Sequence, residues 1–202
     1  MAPPRKHETD VILDAARALV LEGGPRAASV AAIAKSSGAP AGTLYHRFGN
    51  RDGILKAAWL RALERFQSRA MAASAASTAD TPADAAIAMA VAAISFAREL
   101  PQDARLLLTI RPADLLDEEP DARFQETVAT MNAPLLERVG DLARKLYGRK
   151  SSRNVDAVLR AVSDLPYAVV RRHAHDDAMP SWLEDDVAAT VRAMLESFGE
   201  RP

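Results

Sequence analysis

Apolar residues recur along this chain at three- and four-residue steps, interrupted at only a few places. Val11/Ile12, Ala15/Ala16 and Leu19/Val20 mark a first helix from about Thr9 to Glu22, stopped by Gly23-Gly24-Pro25. Ser29 then reads as an N-cap, with Val30, Ile33 and Ala34 behind it at helical spacing. Ser36-Ser37-Gly38 ends this short helix, because Gly38 can take the positive φ of a C-cap. Pro40 suits the first turn of the next, where its missing N–H is not needed. That helix has one apolar stripe, Leu44 and Phe48, and an opposite face of Ala41, Gly42, Thr43, Tyr45, His46 and Arg47. Asn50 caps a third run, with Asp52 in its first turn. Ile54/Leu55, Ala58/Trp59, Ala62/Leu63 and Phe66 carry the stripe on to about Ala76.

The pattern resumes beyond the break at residues 74–83. Ala83–Leu100 turns Ile87, Val91 and Ile94 inward, and Pro101 ends it. Asp103–Arg111 is short and very apolar (Leu106, Leu107, Leu108, Ile110), so deep burial is expected. Phe124–Tyr147 contains Pro134, which predicts a kink, and its stripe continues through Leu135/Leu136. Asn154 to about His173 is bent by Pro166. Ser181-Trp182-Leu183-Glu184 has the form of a capping box ahead of a last helix to Phe198. With no alternating Val/Thr/Tyr runs or hairpin signals, the fold class is all-α, with about nine helices.

Composition agrees. The chain has 202 residues, 49% apolar and 26% charged, the make-up of a soluble globular protein long enough to bury a substantial core. It has no cysteine, which removes disulfides, thiolate metal sites and cysteine nucleophiles and fits a cytoplasmic location. Residues 1–8 lack an apolar targeting segment and read as a tail, and no run suits a membrane span. The net charge of −1 divides unevenly: residues 1–55 carry seven Lys/Arg against five Asp/Glu, the remainder 19 against 22. A mildly basic N-terminal end on a mildly acidic body is compatible with a nucleic-acid partner.

Two short helices joined by a tight glycine turn are a helix-turn-helix, whose second helix enters a DNA major groove; the same spacing also suits an ordinary helical hairpin. Residue types favour the first. Gly42 costs about 0.8–1 kcal/mol in a helix relative to alanine, and close approach to a DNA backbone would offset that. Tyr45 and His46 can donate to phosphates, and Thr43 can reach a base edge or a thymine methyl. Arg51 is a cation in a first helical turn, which a facing phosphate would explain.

The string Gly38, Gly42, Thr43, Leu44, Tyr45, Phe48, with Ile33-Ala34 before it and Asn50-Arg51-Asp52 and Ile54-Leu55 after it, resembles the signature of the TetR/AcrR (tetracycline-repressor) family of transcriptional regulators. The resemblance covers roughly the first quarter of the chain. It implies a three-helix DNA-binding domain over residues 1–53 and a helical effector-binding and dimerisation domain over 54–202. It implies DNA contacts from Ser29, Thr43, Tyr45, His46 and Arg51, with Leu44 and Phe48 as packing. This chain departs from the family in having Ala39, Pro40 and Ala41 at the start of the recognition helix, which leaves base reading to Thr43, Arg47 and apolar contacts.

The resemblance also implies a homodimer paired through its last two long helices, here through Val155, Val158, Leu159, Val162, Leu183, Val187, Val191, Met194, Leu195 and Phe198. The alternative is that both helices pack only on their own subunit. A small-molecule effector, mostly apolar, is expected among Trp59, Phe66, Met89, Phe96, Leu107, Phe124, Met131 and Tyr167, residues that read first of all as core, with Arg98, Arg111 or Arg171 to hold an acidic group. The expected protein is a repressor released from a palindromic double-stranded operator, with no membrane partner. The rival is an all-α binding or scaffold protein, or a helical enzyme, that keeps the hairpin as structure; an activator is a narrower variant. No phosphate loop, nucleophile elbow or dinucleotide pattern is present, so no catalytic residue or cofactor is assigned. His173 to Asp177 and the acidic stretch 117–121 both read as solvated surface rather than as metal sites.

Overall fold

The computed structural model describes residues 5–76, 81–111, 116, 122–176 and 178–198. Among these there is no strand. The helices are α1 (Arg5–Gly23), α2 (Val30–Ser37), α3 (Ala41–Phe48), α4 (Arg51–Ala75), α5 (Pro82–Glu99), α6 (Pro101–Thr109), α7 (Ala122–Tyr147), α8 (Ser152–Leu159), α9 (Leu165–Arg172) and α10 (Leu183–Phe198). A π turn, Arg160–Asp164, joins α8 to α9, so the two form one interrupted helix. The chain divides into two compact units. One comprises residues up to Leu63 with Gln102–Glu126; the other comprises Glu64–Pro101 and the chain from Thr127 onward.

The caps expected at Ser29 and Asn50 form: Ser29 Oγ accepts from Ala32 N at 3.1 Å and Asn50 Oδ1 from Gly53 N at 2.8 Å. Thr81, within the expected break, caps α5 in the same way, its Oγ1 accepting from Asp84 N at 3.1 Å. Gly38 ends α2 with φ 72°, a left-handed conformation that a Cβ would strain. In the first unit α1 lies behind the hairpin as expected. Ile12, Ala16 and Val20 share one core with Ile33, Leu44, Ile54, Leu55, Ala58 and Ala62, and Phe48 packs against it. Two features differ from expectation. Helix α1 begins at Arg5, within the expected tail. Leu106 and Leu116 complete this core, so α6 packs in the first unit rather than with the later helices. An ion-pair network fastens it there. Asp103, 1% exposed, pairs with Arg17, which also bonds Gln102 (2.9 Å) and Asp14 (3.1 Å). Arg61 joins Asp10 (2.8 Å) and Asp14 (2.5 Å). Leu107, Leu108 and Ile110 are only partly buried, against the expectation for that helix.

In the second unit α5 supplies the buried centre, with Ala86, Ala90 and Ile94 fully covered. Pro101 starts α6 rather than merely ending α5, since a proline lacks the N–H that a first turn does not use. Pro134 is exposed and α7 runs on through it. Leu136, placed on the inner stripe by spacing, is 49% exposed. The π turn lies just ahead of Pro166 and absorbs its missing hydrogen bond, which is the physical form of the expected bend. No capping box forms at Ser181. Helix α10 starts at Leu183, and Glu184 instead accepts from Ser95 Oγ (3.1 Å) and Arg98 (2.5 Å) on α5. Tyr147 donates to Leu195 O at 2.9 Å, closing α7 onto α10. The acidic stretch 117–121 and Asp177 lie outside the described residues.

Candidate DNA interface

Helix α3 buries Leu44 completely and Phe48 partly, which fixes its rotation. Ala41, Gly42, Tyr45, His46 and Gly49 therefore fall together on its open side, at the one- and four-residue steps of a single helical face. Tyr45 is 55% exposed although aromatic. A Cβ built on Gly42 would meet no atom within 4 Å, so nothing inside the protein requires glycine there. Pro40 takes the N-cap position, and α3 begins one residue later than its sequence suggests. Ser29 is exposed at the head of α2; its oxygen serves as the cap while its O–H remains able to donate outward.

Two of the predicted contacts are tied down internally. Arg47 donates to Thr9 Oγ1 on α1 at 3.1 Å and is partly buried. Arg51 donates to Pro25 O at 2.5 Å and pairs with Asp52 at 2.8 Å, with 15% of its side chain exposed. Holding the turn before α2 explains a cation in the first turn of α4 without any phosphate. Thr43 is half-buried. Sequence reasoning passed over Arg26, in the turn Pro25–Ala27, and Lys35, in the last turn of α2. Both are exposed cations, one just before Ser29 and one in the helix that Ser29 caps, and their signal was only that position.

The predicted effector residues fall into two groups. Trp59 and Phe124 stack edge-on in the first unit (6.0 Å between centroids), and Leu107 packs on the same core. Phe66 and Phe96 stack edge-on in the second (5.5 Å), with Met89 buried and Met131 half-buried there. Tyr167 and Arg171 are exposed on α9, and Arg111 is exposed just after α6.

The predicted dimer residues need a correction. Val158, Val162, Leu183, Val187, Val191 and Leu195 are each at most 5% exposed within their own subunit, so this stripe is an inner face that packs on the chain's own helices. Val155, Leu159, Met194 and Phe198 are half-buried. Tyr167 on α9 (43% exposed) and Trp182 just ahead of α10 (54% exposed) remain open, and a groove of about 410 Å³ between the two helices is lined by Leu165, Val169, Trp182, Leu183, Asp186 and Val187 among others. His173 Nδ1 lies 2.6 Å from Asp176 Oδ2, a local pair at the helix end. Among the described residues no cluster of three metal-ligating side chains exists, and no helix is long and apolar enough to cross a membrane.

Residues 12–58 match the family model of the bacterial regulatory proteins of the tetR family. No curated protein matches the sequence. The fold superposes on the fatty acid degradation regulator FadR from Bacillus halodurans with a TM-score of 0.68 at 18% identity, over 96% of this chain and 99% of that one. It superposes on the TetR family transcriptional regulator PfmR from Thermus thermophilus with a TM-score of 0.69 at 20% identity, over 100% of both. A TetR-like transcriptional regulator from a Rhodococcus species gives 0.69 at 19% identity, over 96% and 97%. Such identities establish likeness of fold. Residues 12–58 thus carry the sequence pattern of the tetR-family model, and the chain as a whole shares the fold of these regulators.

Proposed function

We propose that this protein is a homodimeric transcriptional repressor that leaves its operator when a small molecule binds. The observation that carries the DNA-reading part is the open face of α3. Gly42 bears no side chain where one would fit freely, and Tyr45 and His46 stand beside it exposed. A glycine kept at a cost in helix stability, on a face no protein atom approaches, has its reason outside the chain. Residues 1–53 form the reading head, supported by residues 54–63 and 102–126 of the same unit. Ser29, Arg26 and Lys35 serve phosphates, while Thr43, Tyr45 and His46 face the groove with Pro40 and Ala41 at its entrance. Arg47 and Arg51 hold the head in shape.

A reader of palindromic half-sites needs two copies, its recognition helices about 34–36 Å apart. The inner stripe of α10 being used up, the seam is placed on the outer side of α9 and α10, where Trp182 and Tyr167 are exposed and Ala189 and Ala193 let helices approach. Release requires the effector to prefer the DNA-incompetent state. Turning a 1:99 population to 99:1 takes about 5.5 kcal/mol of differential affinity.

Selection of bound duplexes from a random DNA pool tests the reading. The expected product is a palindrome with half-sites about one helical turn apart, bound by two chains. Trp182→Asp is expected to give a monomer that still folds and no longer selects it. Recovery of no common sequence, or of a single half-site bound by one chain, contradicts the proposal.

A further inference from the structure

We propose that α3 reads thymine methyl groups: the methyl of Ala41, with the Pro40 ring beside it, packs on the C5-methyl of a thymine in each half-site. This rests on the DNA-reading proposal above. In a helix-turn-helix the first residues of the second helix meet the base edges. Here those residues are Pro40, Ala41, Gly42 and Thr43. The first three are exposed and carry no hydrogen-bonding side-chain atom, and Thr43 is half-buried. Selecting guanine or adenine through two hydrogen bonds takes the donors of Arg or Lys, or the amide of Asn or Gln. Arg47 is the one such residue in α3, and it is turned back onto α1, where it donates to Thr9 Oγ1 at 3.1 Å. Asn50, just beyond the helix, has its side-chain oxygen engaged by Gly53 N at 2.8 Å as the cap of α4. What the start of α3 presents to base edges is therefore aliphatic. The aliphatic group that a base edge presents in return is the thymine methyl.

Depth decides whether so short a side chain reaches. An alanine extends one carbon from the backbone, so it touches a base only where the helix lies close to the groove floor. Gly42, next in the chain, has no side chain on a face where a Cβ would meet no protein atom within 4 Å. That absence lets the backbone approach the bases. The two residues act as one feature: the glycine admits the helix and the alanine makes the contact. Tyr45 and His46, one turn on and exposed, have hydrogen-bonding atoms for the phosphates that wall the groove. Such contacts carry no sequence information, but they fix depth and register. Removing them therefore costs the methyl contact as well. Burial of one methyl is worth about fourfold in affinity, so two symmetric half-sites gain about 15-fold together.

The test uses the intact protein and the duplex recovered from the random pool, resynthesised in two altered forms. Uracil in place of thymine removes the methyl and keeps every hydrogen-bonding group. 7-Deazaguanine in place of guanine removes the N7 acceptor. By fluorescence anisotropy, uracil at the recognised position should weaken binding about fourfold in one half-site and about 15-fold in both. 7-Deazaguanine should leave affinity unchanged. In Ala41→Gly the preference for thymine over uracil should vanish. Both duplexes are compared on the same protein, so any loss of fold stability cancels from that ratio. Uracil without effect at every thymine overturns the proposal, as does an undiminished thymine preference in Ala41→Gly. So does a loss with 7-deazaguanine larger than that with uracil, which would give base reading to a hydrogen-bonding side chain such as Lys35 of α2. In each of these cases the parent protein still selects a duplex, and DNA reading stands without this account of it. A pool that yields no common sequence removes both.

Discussion

Replacing Gly42 by alanine separates the two claims made for α3, its stability as a helix and its use as a reading surface. Gly42 is the second residue of α3 and exposed, and a Cβ there would have no neighbour within 4 Å. Alanine therefore brings no clash, and it removes unfolded-state freedom that glycine must lose on folding. The gain is about 0.5–1 kcal/mol. For a chain of this size, that raises the melting temperature by roughly 1–4 °C. The same methyl stands on the face offered to DNA and holds the helix away from the groove. Losing one or two close contacts costs about 1–3 kcal/mol of binding, a weakening of roughly 5- to 150-fold. Thermal melts by circular dichroism and titrations of operator DNA by fluorescence anisotropy measure both quantities on one preparation. A more stable protein that binds less well is the predicted result. A variant that melts lower, or that binds DNA unchanged, would refute the reasoning.

Gly53→Ala gives the opposite outcome from the same stretch: its Cβ would overlap the carbonyl oxygen of Phe48, so a loss of at least about 1–3 kcal/mol is expected in urea melts, and unchanged stability would contradict the packing described. Tyr45→Phe should lower DNA affinity about 3- to 10-fold with no change in melting, because its hydroxyl is on the open face; equal affinity would remove Tyr45 from the interface. Asp103→Ala leaves Arg17 without its buried partner and should cost about 3 kcal/mol, read from denaturant midpoints, whereas a neutral result would show that the α1–α6 network is not structural. Burial raises the pKa of the Tyr147 hydroxyl above the usual tyrosine range. The folded form then keeps its proton longer than the unfolded one, so stability present below about pH 10 is lost as pH rises through the folded value. Tyr147→Phe should make that alkaline decline shallower, and an identical decline would argue against it.

Most helices were legible because their start and stop signals are local. Ser29, Gly38 and Asn50 act through side chains or dihedrals within three residues of themselves. What the sequence hid depends on distant partners. Spacing shows that Leu183, Val187, Val191 and Leu195 form an apolar stripe, but not whether that stripe meets its own chain or another; here it meets its own. Arg51 looked like a phosphate ligand because the carbonyl of Pro25, which it grips, is 26 residues away. The capping box at Ser181 failed because Glu184 is drawn to Ser95 and Arg98, far upstream in the chain. The assignment of α6 to the first unit likewise rests on Asp103 and Arg17, whose pairing no local pattern announces.

The central claim is that the open face of α3 reads DNA. Its most direct test is titration of the purified protein against DNA from its own upstream region, with random DNA as control, across a salt series. A Tyr45→Phe/His46→Ala variant runs in parallel, since both side chains are exposed on that face. The account predicts a specific complex of two chains per site whose affinity falls steeply with salt, and a variant that folds normally and loses the preference. Variant and parent binding the same DNA equally at every salt concentration would contradict it.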